Sequence, residues 1–178
     1  LDCSNKIRMQ KKFAAAGVPT ATNRLADTAE EAARAARDIG FPVIVKAPNS
    51  SGSRGIAVAE RADRIGEAFR VAADVAGGGQ VLIERLLTGI EFGAQVVVLD
   101  GRVVECLFHN DTVATRHVSV PIGHSCPSRL AETLQKQASD ACQGAAAALG
   151  IRNAVCNADL IATDDGIRVL EIGARIGA

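Results

Sequence analysis

The end of the sequence constrains the fold most, because it combines a β-hairpin pattern with two carboxylates at matched positions. Two short alternating apolar runs flank Asp164-Asp165-Gly166, and this pattern is typical of an antiparallel hairpin. A three-residue loop with glycine in the left-handed region pairs Thr163 with Ile167 and places Asp159 directly opposite Glu171. Opposed residues point to the same face, with their Cβ atoms about 4.5–5.5 Å apart. The hairpin is therefore predicted to hold two carboxylates side by side.

The predicted pairing divides the hairpin into a polar face and an apolar face. The polar face carries Asn157, Asp159, Glu171 and Arg175, and the apolar face carries Ala158, Leu160, Leu170 and Ile172. Two adjacent carboxylates repel each other and require a counter-charge. A hard divalent cation with oxygen ligands is the natural candidate, whereas a solvated polar face on an edge hairpin is the structural alternative.

The composition excludes several classes of protein. The 178 residues suffice for one well-packed domain or two lobes, and 48% hydrophobic residues with zero net charge indicate neither disorder nor a nucleic-acid-binding tail. No long apolar run or signal peptide is present, so we expect no membrane contact. The five cysteines form no C-x-x-C pair, which favours free thiols in a reducing compartment and a cytoplasmic location.

Two further absences narrow the chemistry. The histidines at positions 109, 117 and 124 lack the i, i+4 spacing of a helical zinc site. The chain also contains neither Trp nor Tyr, which leaves few stacking platforms for single-stranded nucleic acid.

Helix and strand signals alternate along the chain and predict an α+β fold. Thr28 and Glu31 form a capping box, Asp100-Gly101 indicates a hairpin, and Lys6 and Arg8 place cations in a first helical turn, where the helix dipole disfavours them. Helices are predicted over residues 4–17, 28–40, 63–77 and 127–150, and strands over 43–47, 56–59, 81–87, 91–99, 102–109 and 113–120, before the closing hairpin. We expect a small lobe followed by a larger antiparallel sheet that carries helices.

A candidate phosphate site follows the first of these strands. Lys46 ends a β-branched strand immediately before the Gly/Ser loop 50–55, whose flexible backbone amides can close over phosphates. An ordinary turn between two strands remains an equally good interpretation of the loop alone. Glu84 and Glu91 flank a strand break, where a carboxylate can accept hydrogen bonds from ribose hydroxyls. Two surface glutamates are the simpler alternative.

The order of these features resembles the ATP-grasp superfamily over nearly the whole chain. The resemblance is carried by a lysine near the N-terminus followed by the segments GVPTAT, GFPVIVKAPNSSGSRGI, VLIERLLTGIEFGAQVVV, ALGI and NADLIATDDGIRVLEIGAR. It implies an ATP-grasp fold in which two α+β lobes with antiparallel sheets hold ATP between them. The expected division is a small lobe at 41–85 and a larger lobe with connecting elements at 1–40 and 86–178. The chain is also expected to be a fragment of a longer protein.

The resemblance also implies roles for individual residues. Lys6 and Lys46 match the two phosphate-binding lysines, Asp159 and Glu171 match the Mg²⁺ (or Mn²⁺) ligands, and Arg175 matches the arginine that meets the transferred group. The remaining nucleotide-binding positions are Ser53, Arg54 and Gly55 in the mobile loop, Glu84, Arg85 and Leu86 at the adenine hinge, and Glu91 at the ribose.

One position departs from the family pattern. Gly173 stands where an asparagine usually provides a further metal ligand. Asn157 or water fills that position, or only one metal is held tightly. The run Glu-Ile-Gly-Ala-Arg is similar to the branch with amino-acid ligases, and in that branch His124 is a candidate substrate neighbour, although a plain loop histidine is the simpler interpretation.

The activity that the resemblance implies is ATP-dependent ligation of a carboxylate to an amine through an acyl phosphate. Lys46 and Arg175 are then the expected catalytic residues, and the expected partners are small-molecule acids and amines, with a homodimer left open. The alternatives are phosphorylation of bicarbonate, as in carboxylases or carbamoyl-phosphate synthesis, and a nucleotide-binding module without turnover. Gly173 favours the last of these.

Overall fold

The computed structural model of the chain describes residues 2–50, 52–113 and 121–176. These residues form four α-helices and nine strands in two antiparallel sheets. The helices are α1 (Lys6–Ala16), α2 (Ala29–Ile39), α3 (Ile65–Val75) and α4 (Glu132–Leu149), with short 3₁₀ turns at Asp2–Ser4 and Ala62–Arg64. The strands are β1 (Asn23–Ala26), β2 (Val43–Lys46), β3 (Ile56–Ala59), β4 (Val81–Arg85), β5 (Ile90–Leu99), β6 (Arg102–Val113), β7 (Pro121–Ser125), β8 (Ala154–Thr163) and β9 (Gly166–Gly173). The α+β prediction is confirmed.

The smaller lobe consists of a four-stranded sheet in the order β1-β4-β2-β3, packed against α2 and α3. Its core is built from small and β-branched side chains, among them Ala32, Ala36, Val43, Val81 and Ile83. Thr28 caps α2 as predicted, because its hydroxyl oxygen accepts from the backbone N–H of Glu31 at 3.2 Å. β1 and α2 precede residue 41, so this structural unit extends beyond the 41–85 segment expected from the sequence.

The larger lobe consists of a five-stranded sheet in the order β7-β6-β5-β8-β9, with α1 and α4 on one face. Phe13 from α1 and Cys142 from α4 are fully buried against Phe92 and Leu160 of the sheet. Residues that alternate with these, such as Gly93 and Asp159, point to the opposite face, since successive strand residues point to opposite sides. That second face therefore carries the polar side chains.

The closing hairpin reaches the predicted carboxylate pair by a different register. Thr163 pairs with Gly166 across a two-residue loop, so the predicted pairing of Thr163 with Ile167 is wrong. A bulge between the Asp159 and Leu160 pairs then shifts the register by one residue and restores the predicted pairing of Asp159 with Glu171. The extra residue of a bulge is left unpaired.

The bulge also changes which residues lie on the apolar face of the hairpin. Val169, opposite Leu160, is fully buried in the core of the larger lobe, while Leu170 is only partly buried and lies outside that cluster. The placement of Leu170 on the core face was therefore wrong, because an unmarked bulge inverts the alternation of every residue on one side of it.

Two predicted helix boundaries also shift. Asn5, not Ser4, caps α1, since its side chain accepts from the N–H of Arg8 at 2.9 Å. The last long helix begins at Glu132 rather than near residue 127, because Ser128 instead accepts from the N–H of Leu130 in a turn before the helix. The strand predicted at 113–120 falls almost wholly outside the described residues, and β6 extends to Val113.

None of the described helices is long and apolar enough to span a bilayer.

Candidate functional site between the two lobes

The carboxylate pair of the closing hairpin lies on the polar face of the larger sheet. Asp159 is exposed and Glu171 is partly exposed. Desolvation and the neighbouring Glu171 carboxylate raise the pKa of Asp159, and Asp111 acts in the same direction, whereas a hydrogen bond from Asn157 and the charge of Arg175 lower it. The net effect on the pKa of Asp159 is upward, because desolvation and the neighbouring carboxylates outweigh Asn157 and Arg175.

Lys6 connects this carboxylate pair to the loop of the smaller lobe. Its Nζ lies 3.1 Å from Oε2 and 3.4 Å from Oε1 of Glu171 and also donates to the backbone carbonyl of Ser50 at 2.7 Å. The backbone N–H of Lys6 donates to the carbonyl of Pro48. The side chain is 11% exposed. These contacts explain why a cation is accommodated in the first turn of α1, where the helix dipole alone disfavours it.

Lys46 forms a buried ion pair within the smaller lobe. Its Nζ lies 2.5 Å from Oε2 of Glu84, and the two side chains are 13% and 3% exposed. Burial alone lowers the pKa of Lys46, but the carboxylates of Glu84, Glu171 and Asp159 outweigh it and raise the pKa above its ordinary value. Lys46 therefore faces acidic groups from both lobes.

Glu84 keeps one oxygen without a protein partner. Within the described part of the chain, Oε1 is buried and accepts no hydrogen bond, although Oε2 is held by Lys46. A buried carboxylate oxygen without a donor costs free energy, so the site offers an acceptor to a ligand that carries N–H or O–H groups. Glu84 itself lies within β4, opposite Ile44 and Asn23.

The neighbouring hinge residues Arg85 and Leu86 are hydrogen-bonded to the segment at residues 39–42. The guanidinium of Arg85 donates to the carbonyl of Ile39 at the end of α2, and the backbone N–H of Leu86 donates to the carbonyl of Pro42. Glu91 lies on β5, opposite Ile161, on the same face as Asp159. The structure thus places the adenine and ribose candidates along the edge where the two lobes join, but it brings none of these three into contact with the carboxylate pair.

The predicted phosphate loop lies at the tip of the β2–β3 hairpin, which closes with Lys46 opposite Ile56. Ser53 has a φ of 58°, and Gly55 has a φ of 64°. A Cβ at Gly55 would lie 2.7 Å from Cβ of Val75 and 2.8 Å from Cβ of Ala47. Gly55 is therefore required by both its backbone conformation and its close packing. Arg54 between them is exposed.

Asn157, Gly173 and Arg175 form the far edge of the site. Asn157 lies opposite Gly173, accepts from Gln95 at 2.8 Å and donates to Oδ1 of Asp159 at 2.9 Å. Arg175 is exposed, and its side chain passes over Gly173, where a Cβ would lie 3.7 Å from Cγ of Arg175. Asn157 is thus next to the carboxylate pair, as predicted.

A second polar cluster on the same sheet was not recognised from the sequence. Nδ1 of His109 and Nδ1 of His124 each lie 2.8 Å from Oδ1 of Asp111. His109 and Asp111 alternate on β6, and His124 on β7 lies directly opposite Asp111. The i, i+2 spacing of His109 and Asp111 on a strand is the sequence signal for this cluster, and it differs from the i, i+4 spacing of a helical zinc site. His124 therefore belongs to a cluster rather than to a plain loop.

The charges of the two lobes converge on one cleft. Lys6 on α1 pairs with Glu171 on β9, and Lys46 on β2 pairs with Glu84 on β4. The carboxylates of Asp159 on β8 and of Glu171 also raise the pKa of Lys46. Cations beside hard oxygen ligands can bind a polyphosphate together with a divalent metal ion.

The chain matches a known protein family over nearly its whole length. Residues 5–178 match the family described as carbamoyl-phosphate synthase L chain, ATP binding domain. The chain is 31% identical to a D-alanine–D-alanine ligase of Desulforudis audaxviator over 97% of its own length and 58% of the ligase. It is 29% identical to a formate-dependent phosphoribosylglycinamide formyltransferase of Pectobacterium carotovorum over 88% of its length and 42% of that enzyme.

A solved structure supports the same fold. The biotin carboxylase–β,γ-ATP complex from Campylobacter jejuni superimposes with a TM-score of 0.84 at 22% identity, covering 99% of this chain and 41% of the carboxylase. The chain thus spans less than two thirds of each of these three proteins.

Proposed function

Since the chain belongs to the family of the carbamoyl-phosphate synthase L chain ATP-binding domain, within the ATP-grasp superfamily, we propose that it is the catalytic ATP-binding region of an ATP-dependent ligase. The ligase joins a small-molecule carboxylate to an amine and releases ADP and phosphate. The observation that carries the proposal is the position of Lys46, a buried cation that faces Glu84 of its own lobe and Asp159 and Glu171 of the other.

The donors present fit a magnesium–nucleotide complex. Asp159 and Glu171 offer adjacent hard oxygen ligands. Desolvation and the Glu171 carboxylate raise the pKa of Asp159, and a divalent cation bound to both carboxylates would offset their repulsion. We assign the Mg²⁺ (or Mn²⁺) site to these two residues, with Asn157 or water in the position left by Gly173. The ion supplies neutralisation of phosphate charge.

The two lysines are the proposed phosphate ligands. Lys6 and Lys46 are each paired with a carboxylate in the free protein, with Glu171 and Glu84 respectively. When a polyphosphate binds, its oxygens offer the lysines a stronger set of charge-assisted hydrogen bonds. Arg175, whose charge already acts on Asp159, is assigned to the transferred phosphoryl group.

The remaining residues of the smaller lobe and its edge are assigned to the nucleotide. Ser53, Arg54 and Gly55 close over the phosphates, and the segment of Glu84, Arg85 and Leu86 receives the adenine. Glu91 receives the ribose. Oε1 of Glu84, which has no hydrogen-bond partner among the described residues, supports this assignment, because a buried acceptor in the cleft matches a ligand with N–H donors.

The reaction requires alignment and charge neutralisation rather than a protein nucleophile. A carboxylate oxygen of the acid attacks the γ-phosphorus and ADP leaves, which gives an acyl phosphate. The amine nitrogen then attacks the acyl carbon, loses a proton, and inorganic phosphate leaves. Positioning lowers the entropic barrier, fixed cations stabilise the developing charge, and closure of loop 50–55 excludes water that hydrolyses the acyl phosphate.

The test is ADP release by the full-length protein with candidate acids and hydroxylamine in place of the amine. Hydroxylamine traps an acyl phosphate as a hydroxamate, so we expect ADP and hydroxamate to appear together and only when an acid is present. ATP binding without ADP release for any acceptor contradicts the proposal and favours a nucleotide-binding module without turnover.

Bicarbonate is a second candidate for the phosphorylated acid, and the description of the matched family favours it. In that case ADP release depends on bicarbonate without any other acid, and ¹⁸O from labelled bicarbonate appears in the inorganic phosphate. Release that depends on an organic acid and no transfer of ¹⁸O from bicarbonate favour the ligase.

We also infer the cellular setting from the chain. The five cysteines are free and the net charge is zero, which supports a cytoplasmic enzyme of small molecules without nucleic-acid or membrane partners.

A further inference from the structure

The cluster of His109, Asp111 and His124 brings three metal-ligating side chains together outside the carboxylate pair. Both Nδ1–Oδ1 distances are 2.8 Å, and the three potential ligand atoms all lie within 4.8 Å of one another. The imidazole rings meet edge to face, with centroids 4.6 Å apart and planes at 78°. Two different strands supply the three side chains, so backbone pairing between β6 and β7 holds them in place.

The surrounding sheet provides space for the cluster. Gly93 lies opposite His109 on β5, and a Cβ at Gly93 would overlap the imidazole of His109. The side chains of His109 and Asp111 are 9% and 10% exposed, whereas that of His124 is 38% exposed. The cluster therefore has two buried members and one that faces solvent, which leaves a route by which an ion can reach it.

The cluster shares the polar face with the carboxylate pair. His109, Gly93, Asp159 and Glu171 lie opposite one another in turn on β6, β5, β8 and β9. Two interstrand spacings, about 10 Å, separate the backbones of His109 and Asp159. The Asp111 carboxylate also contributes to the raised pKa of Asp159. The cluster is close to the nucleotide site but uses none of its ligands.

We propose that His109, Asp111 and His124 bind one divalent transition-metal ion of the Zn²⁺ class, separate from the magnesium at Asp159 and Glu171. Imidazole nitrogens favour Zn²⁺ and its neighbours in the periodic table, whereas magnesium favours all-oxygen sites. The two sites on this sheet face thus have donor sets that select different metals. Two histidines and one carboxylate leave a fourth coordination position for water or another ligand.

The geometry is close to what such an ion requires. With bonds of about 2.0–2.2 Å, neighbouring ligand atoms of a tetrahedral zinc site lie about 3.3–3.6 Å apart. Each imidazole therefore needs to move away from Oδ1 of Asp111 by about 0.5–0.8 Å, which a small side-chain rotation provides. The alternative is a hydrogen-bonded cluster in which Asp111 orients two imidazoles without binding metal.

The experiment is a calorimetric titration of Zn²⁺ into chelator-treated, full-length protein without nucleotide. We expect one ion per chain and a melting temperature that rises with Zn²⁺. Asp111→Asn and His109→Ala are each expected to lower the affinity at least about 10-fold, the loss that removal of even an indirect ligand support carries. Asp100→Asn, at the opposite end of the β5–β6 hairpin, is the matched control and leaves the affinity unchanged.

Two further measurements separate this proposal from others. Glu171→Gln leaves Zn²⁺ affinity unchanged, which shows that the ion does not occupy the magnesium site. Absorption of the Co²⁺-substituted protein reports the ligands: a spectrum without thiolate charge transfer supports the assignment, and a thiolate band assigns the ion to the cysteines and overturns it. Unchanged Zn²⁺ affinity in Asp111→Asn, which preserves the size of the side chain, also overturns it.

Discussion

In the smaller lobe, a cation and an anion are buried against each other, whereas in the larger lobe two anions lie side by side at an open cleft. Lys46 and Glu84 form a pair that is almost removed from solvent. Asp159 is exposed, and Glu171 is only partly balanced by Lys6. The first region is neutral within itself, whereas the second brings two like charges together, one of them paired with Lys6.

Because of this difference, the two regions contribute to ligand binding in different ways. A buried pair with good geometry holds its side chains in place before any ligand arrives. Two adjacent carboxylates repel each other, and in the free protein Glu171 is paired with Lys6 whereas Asp159 accepts a hydrogen bond from the neutral side chain of Asn157. For the proposed nucleotide site, this means that the smaller lobe is organised in advance to position phosphate and the larger lobe to receive metal. Lys46 couples the two regions, because Asp159 and Glu171 both contribute to its raised pKa.

The largest expected effect is the loss of stability when the buried pair is broken. Lys46→Ala leaves Glu84 charged and buried, and we expect it to lower the free energy of unfolding by about 3–5 kcal/mol and to weaken nucleotide binding. Denaturant unfolding and ATP titration measure the two effects. The double variant Lys46→Met/Glu84→Leu recovers most of the stability, because well-packed apolar side chains often replace such a pair without loss, but it does not recover ATP binding. ATP affinity that is unchanged in Lys46→Ala contradicts the role of Lys46.

In the open region, a single substitution is expected to affect activity and not the fold. Glu171→Gln keeps the size of the side chain but removes one of the two proposed metal ligands, so Mg²⁺-dependent ADP release falls at least about 100-fold. Stability changes by less than about 1 kcal/mol, since the Lys6–Glu171 pair is partly exposed and screened. Asp165→Asn, in the exposed turn of the same hairpin, is the control with unaltered activity. Full activity in Glu171→Gln removes Glu171 from the metal site.

The sequence predicts the features of the two lobes that local residue patterns encode. Alternating apolar residues and the turn identified the hairpin, and the pairing of Asp159 with Glu171 is confirmed. The bulge that displaces Leu170 has no signature in the residues around it. The predicted loop was also one residue too long, since Thr163 pairs with Gly166. The i, i+2 spacing of His109 and Asp111 is visible in the sequence, but the contact with His124 depends on pairing between β6 and β7, which residue spacing does not encode.

Two glycine variants in the loop of the smaller lobe test whether close packing holds this lobe in place before a ligand binds. Gly55→Ala meets Val75 and Ala47 at 2.7–2.8 Å and keeps a φ of 64°, so we expect a loss of about 2–3 kcal/mol from strain and displacement together. Gly52→Ala has a φ of 62° but nothing within 4 Å, and it should lose only about 1 kcal/mol. Thermal unfolding of the two variants measures the difference. Equal losses would show that the packing under Gly55 contributes nothing.

The smallest expected effect reverses the usual sign, since Asp159→Asn should stabilise the free protein. The pKa of Asp159 is raised above its ordinary value of about 3.9, so the folded state retains a proton that the unfolded state releases. Stability therefore falls as pH rises from about 3.9 through the folded pKa, and the penalty persists at neutral pH. Removing the charge recovers less than about 1 kcal/mol, because the side chain is exposed and solvent screens it. Unfolding at pH 7 and below pH 3.5 measures the effect: the gain should be present at pH 7 and absent in acid.

Added Mg²⁺ should stabilise the parent protein but not Asp159→Asn, because only the parent retains the Asp159 carboxylate that the cation binds. A loss of stability at pH 7 in the variant would mean that Asp159 is already compensated within the free protein, and the contrast between the two lobes would then disappear.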